Sequence, residues 1–74
     1  PDVFLLPEGL GAGTVSVFSA SDVARGVIES GLEYPVNDET LTNRTTRGLS
    51  NELMGERATV AVEEGTLMVF YPLF

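Results

Sequence analysis

The amino-acid sequence predicts an all-β protein, a jelly-roll-like β-sandwich of about seven or eight short antiparallel strands, and three observations carry that prediction. Thr14-Val15-Ser16-Val17-Phe18 alternates with a period of two, so that Val15 and Val17 share a face. Ala58, Val60 and Val62 alternate in the same way with Thr59, Ala61 and Glu63. Turn-forming residues recur at intervals of about 8–12 residues, the spacing of sandwich strands. With 74 residues the chain has room for a single domain, spanning 1–74.

The elements follow in order. Val3-Phe4-Leu5-Leu6 is a short apolar run closed by Pro7, and Glu8 to Gly13 is a turn-rich connection into the Thr14–Phe18 strand. Ser21 and Asp22 resemble a helix start, with Val23, Ala24, Val27 and Ile28 at helical spacing before Gly31. Gly26 in the middle and the β-branched pair Val27-Ile28 favour a strand instead, and pattern alone leaves both open. Leu32 to Thr46 is Thr-rich with Asn37-Asp38 as a turn, which predicts one or two short strands. Ala58–Glu63 and Thr66–Tyr71, on either side of Glu63-Glu64-Gly65, predict a hairpin. The second of these runs is apolar on both faces, as in a strand in the middle of a packed structure. Val15, Val17, Ala58, Val60, Val62, Leu67 and Val69 are the predicted core.

Composition narrows function by exclusion. The chain has no Cys and no His, which removes disulfides, zinc sites, thiol nucleophiles and imidazole bases together. Four basic and eleven acidic residues leave a net charge of −7, unsuited to a nucleic-acid backbone or an anionic membrane surface. A small domain with neither disulfide nor metal is thinly cored, and a partner surface is the natural substitute. The start, Pro1-Asp2-Val3-Phe4, has neither an initiator Met nor the basic opening of a signal peptide, so the chain reads as a piece of a larger cytoplasmic protein.

No catalytic constellation stands out. Gly9-Leu10-Gly11-Ala12-Gly13 is followed by an alternating strand, whereas phosphate cradling needs a helix N-terminus there. The acidic residues have no calcium-loop register and no His beside them for a transition metal. Polar density is highest from Thr42 to Glu52, with Gly31-Leu32-Glu33-Tyr34-Pro35 upstream. A plain structural reading makes these a solvated Thr-rich strand, a turn at Ser50-Asn51 and a tyrosine packed across strands.

These same segments carry a resemblance. Gly26 to Val36, Thr40-Leu41-Thr42, Arg47-Gly48-Leu49-Ser50-Asn51-Glu52 and Gly55 to Gly65 are similar, in order and spacing, to blocks of the thiamine pyrophosphokinases. The match covers roughly residues 26–70, and the first 25 residues follow the family only loosely. The resemblance implies a C-terminal thiamine-binding β-sandwich of a two-domain enzyme. In that family an N-terminal α/β domain binds magnesium and ATP, and the reaction passes pyrophosphate from ATP to the thiamine hydroxyl, giving thiamine diphosphate and AMP. It further implies a homodimer, a chain inactive without its catalytic domain, no cofactor bound by this domain itself, and a strand over Arg25–Ser30 with only a turn near Ser21-Asp22.

Carried over by position, Tyr34 is the aromatic that stacks on thiamine, a flat cation suited to an electron-rich ring. Ser50 and Asn51 match a Ser-Asn pair that meets the aminopyrimidine, and Arg47 falls on a motif position near the phosphates. All three thiamine-binding residues are expected to converge on one groove. Two other readings compete: a carbohydrate-binding sandwich built on Tyr34 and nearby amides, and a dimerisation module built on the apolar end Leu67 to Phe74.

Overall fold

In the computed structural model, which describes residues 1–44 and 48–72, seven strands form two antiparallel sheets. The strands are β1 (Asp2–Leu5), β2 (Thr14–Ser19), β3 (Val23–Ser30), β4 (Val36–Thr42), β5 (Leu49–Glu52), β6 (Thr59–Val62) and β7 (Leu67–Phe70). One sheet has the order β1-β6-β3-β4 and the other β5-β2-β7. Among the described residues there is no helix, hence none long and apolar enough to cross a membrane. The sandwich class read from the alternation is therefore the observed one.

Inward-facing side chains of the two sheets form the core. Leu6, Val15, Val17, Leu32, Ala58 and Val60 make one buried cluster, and Ala24, Val27 and Val62 a second. Leu41, Leu49 and Leu67 pack against both and join them.

The segment that pattern left open is strand β3, and a bulge explains why it mimics a helix. Gly26 has φ +67° and sits opposite Glu63 and Glu64, whose backbone N–H groups both donate to the Arg25 carbonyl at 3.0 and 3.1 Å. The β3–β4 register shifts between Ala24 and Val27. The extra residue lets Ala24 and Val27, three apart, both face inward, which is helical spacing produced by an extended chain. Bends over residues 20–22 stand where a helix would start. There Ser19 Oγ donates to the Ser21 carbonyl and Ser21 Oγ to the Val23 carbonyl, both at 2.7 Å.

Three local expectations are corrected. Glu63-Glu64-Gly65 does not close a hairpin, because β6 pairs with β1 and β3 while β7 pairs with β2 in the other sheet. The connection is an arch between layers; the local turn signal is the same for both, and only tertiary pairing separates them. β7 is an edge strand rather than a central one, so Leu67 and Val69 face inward but stay half-buried, while Met68 and Phe70 are exposed. Phe70 covers part of itself against Phe18 in an edge-to-face pair with centroids 5.8 Å apart. Asn37-Asp38 lies within β4, where Asp38 takes φ +62° at a second register shift, between Val27 and Glu29.

Candidate functional site

Gly31 starts the segment that positions the site. With φ +77° it turns the chain out of β3, and a Cβ there would run into the Arg57 carbonyl and Ala58. Leu32 to Tyr34 then lies along the free edge of β5: Leu32 bridges to Leu53 and the Glu33 N–H donates to the Glu52 carbonyl at 2.9 Å. Pro35 favours extended backbone at Tyr34 as well.

At Tyr34 the backbone ladder is replaced by a side chain. The Tyr34 N–H donates to Asn51 Oδ1 at 2.8 Å, and Asn51 Nδ2 donates to the Tyr34 carbonyl at 2.5 Å. The carboxamide thus does what a neighbouring peptide group does in a sheet. Asn51 Oδ1 also accepts from the Glu52 N–H at 3.0 Å, and Nδ2 donates its second hydrogen to Glu29 Oε1 at 3.1 Å. Two donors and two acceptor sites are all used, so the amide is saturated. Asn51 is 2% exposed, whereas Tyr34, which it holds, is 59% exposed.

Tyr34 and Asn51, 17 residues apart in sequence, therefore meet as expected. Ser50 does not join them between the sheets. It is exposed on the outer face of β5, opposite Ser16 of β2, because successive side chains of a strand point to opposite faces. Neither a turn at Ser50-Asn51 nor a Tyr34 packed across strands describes the structure, since both polar residues lie inside β5 and the tyrosine is exposed. Arg47 lies outside the described residues.

The residue that sequence reasoning missed is Glu29, on β3. It is 1% exposed and reaches Asn51 across the interior of the sandwich. Burial pushes its carboxyl above the usual glutamate range, with the Asn51 hydrogen bond working in the other direction. Its second oxygen, Oε2, has no hydrogen-bond partner among the described residues. Counting inward positions through the Gly26 bulge, Ala24, Val27, then Glu29, would have placed it in the core.

Two clefts lie elsewhere. One of about 370 Å³ opens between the β1/β6 edge and β7, lined by Phe4, Val60, Leu67, Val69 and Tyr71; the other, about 330 Å³, lies beneath the Pro7–Gly11 loop. Among the described residues no group of three or more Asp, Glu, His or Cys side chains is arranged to hold a metal ion.

The chain is thus a small antiparallel sandwich that holds an exposed aromatic ring through a saturated buried amide. The family model of the thiamin pyrophosphokinase vitamin B1 binding domain matches residues 4–67. The chain belongs to that family. It is also similar to the solved structures of thiamin pyrophosphokinase from Geobacillus thermodenitrificans (25% identity, TM-score 0.79) and thiamine pyrophosphokinase from Bacillus subtilis (25% identity, TM-score 0.76). Both likenesses cover 93% of this chain and 32% of the other, so the chain spans about a third of the length of either enzyme. No curated protein sequence matches it.

Proposed function

We propose that this domain binds thiamine, with the Tyr34 ring as the platform for the flat cation and the Ser50 hydroxyl available to its aminopyrimidine. The observation that carries the reading is the combination at Tyr34: an exposed ring on a backbone clamped at both its N–H and its carbonyl. A ring fixed before binding loses little entropy when a ligand stacks on it. Asn51 acts by holding Tyr34, since its own hydrogen-bonding capacity is spent inside the protein. Arg47 is assigned to the neighbourhood of the phosphates that the parent enzyme passes from ATP to thiamine.

The parent protein is, on this reading, a thiamine diphosphokinase that transfers pyrophosphate from ATP to thiamine. Magnesium and ATP belong to an N-terminal catalytic domain, and the isolated domain is inactive. The enzyme is assigned to the cytoplasm as a homodimer; the exposed Met68 and Phe70 of β7 offer apolar surface for such an assembly.

Calorimetric titration with thiamine, and separately with simple sugars, tests the reading. Thiamine is expected to bind and sugars are not; the reverse would replace thiamine by a carbohydrate as the ligand. Tyr34→Ala should weaken thiamine binding by about 1–2 kcal/mol, the scale of a desolvated cation–π contact, while Tyr34→Trp is tolerated. In the intact enzyme the Ala variant should chiefly raise KM, because stacking acts alike on ground and transition states. An unchanged thiamine affinity in folded Tyr34→Ala would remove Tyr34 from the site.

A further inference from the structure

We propose that Glu29 is a positioning residue for Tyr34, acting across the two sheets by fixing the Asn51 amide that clamps the Tyr34 backbone. The part concerning ligand binding rests on the thiamine reading; the part concerning Tyr34 does not.

The geometry has three links. Glu29 follows the Gly26 bulge by an odd number of residues and so points between the sheets, against β5. Its Oε1 accepts from Asn51 Nδ2, which leaves that nitrogen one hydrogen for the Tyr34 carbonyl and fixes the carboxamide so that Oδ1 faces the Tyr34 N–H. Without an acceptor at Glu29, the amide loses one of the four contacts that set its rotation, the only one that reaches it from the other sheet. A carboxyl in a core otherwise built of Val, Leu and Ala is costly unless it does such work.

The proton on Glu29 belongs to the same arrangement. The carboxyl is buried, with one hydrogen bond that favours the anion and one oxygen that has no partner among the described residues, and burial outweighs the bond. Among the described residues, its surroundings supply no compensating cation. β6 carries no titratable side chain, and β4 brings only the exposed Asp38 and Glu39. On β5, Glu52 accepts from Thr14 Oγ1 on the outer face, and Glu33 and Tyr34 of the connection are exposed. On β3 itself Arg25 is exposed, beyond the bulge. The anion accepts from Asn51 more strongly but is disfavoured by burial, so ionisation as pH rises favours a local opening that hydrates Glu29 and releases Asn51 and with it Tyr34.

Hydrogen exchange of the Tyr34 amide, expressed as a protection factor, reads the positioning without any ligand. In the full chain that factor should fall by about tenfold as the pH rises through the elevated range of Glu29, because the ionised carboxyl is hydrated only by opening the site. Glu29→Gln keeps an acceptor for Asn51 and cannot ionise, so it should retain protection and abolish the pH dependence. Glu29→Leu should lower Tyr34 protection about tenfold relative to the Val15 and Val17 amides of the same molecule. Thiamine affinity should follow protection in each variant. Equal Tyr34 protection in Glu29→Leu and the parent chain would overturn the proposal. If Glu29→Leu does not fold, the Gln variant decides: a flat pH profile supports the positioning role, and a profile like that of the parent chain overturns it. Should no variant bind thiamine while Tyr34 protection behaves as described, the ligand assignment fails and the positioning role stands.

Discussion

Asn51 concentrates more of the stability of this domain than its polarity suggests. Its buried amide makes four hydrogen bonds, joining β5, the Leu32–Tyr34 segment and β3. Asn51→Ala strands the Tyr34 backbone groups and leaves Glu29 without its partner. The expected cost is about 2–3 kcal/mol, seen as a melting temperature lower by roughly 10–20 °C. Glu29 gives that stability a pH dependence of known sign. Because its folded carboxyl is raised above the ordinary value of 4.5, the folded state holds a proton that the unfolded chain has released. Glu29 therefore favours folding fully below the ordinary value and progressively less as pH rises through the elevated range. Thermal melts across that range should show the decline in the parent chain and its absence in Glu29→Gln. Tyr34, by contrast, is exposed, and Tyr34→Ala should leave the melting temperature within a few degrees.

At the scale of the element, alternation was enough to find β2 and β6, where inward Val15, Val17, Val60 and Val62 are every second residue. The same rule left β3 undecided between helix and strand, because the bulge at Gly26 adds a residue and turns a period of two into an apparent three. The resemblance placed the strand there where periodicity could not. Gly26→Ala tests the role of the bulge: the positive φ disfavours any Cβ, and the new methyl would meet Glu63 Cβ at 2.6 Å. A loss of about 1–3 kcal/mol is expected in chemical denaturation, with unchanged β content by circular dichroism in what remains folded. Which strands share a sheet was illegible at this scale. A glycine-bearing break between two β-rich runs is written alike whether the chain folds back beside itself or passes to the facing layer. The site was half legible: the meeting of Tyr34 with Asn51 followed from the resemblance, whereas the inward turn of Glu29 depends on a register that only the paired strands fix.

The whole molecule is held by pairings distant in sequence. Asp2 lies opposite Val62 and Ser16 opposite Phe70, so neither sheet is complete until segments near the two chain ends have found distant partners. Refolding after denaturant dilution should accordingly take milliseconds to seconds, the range of β-rich domains of high contact order, and a microsecond phase accounting for the full signal would contradict this. The arch over Glu63-Glu64-Gly65 has a further consequence. Strands β1, β3, β4 and β6 make one layer and β2, β5 and β7 the other, so the two layers are interleaved along the chain. A cut in any of the four connections between β2 and β6 leaves both layers unfinished, whereas a cut after β1 or after β6 leaves one layer's strands together on one piece. The Glu8–Gly13 connection is therefore a natural split point: a cut there removes β1 alone, leaves β2, β5 and β7 on one piece, and a peptide bearing β1 would have to re-enter beside β6 to complete the other layer.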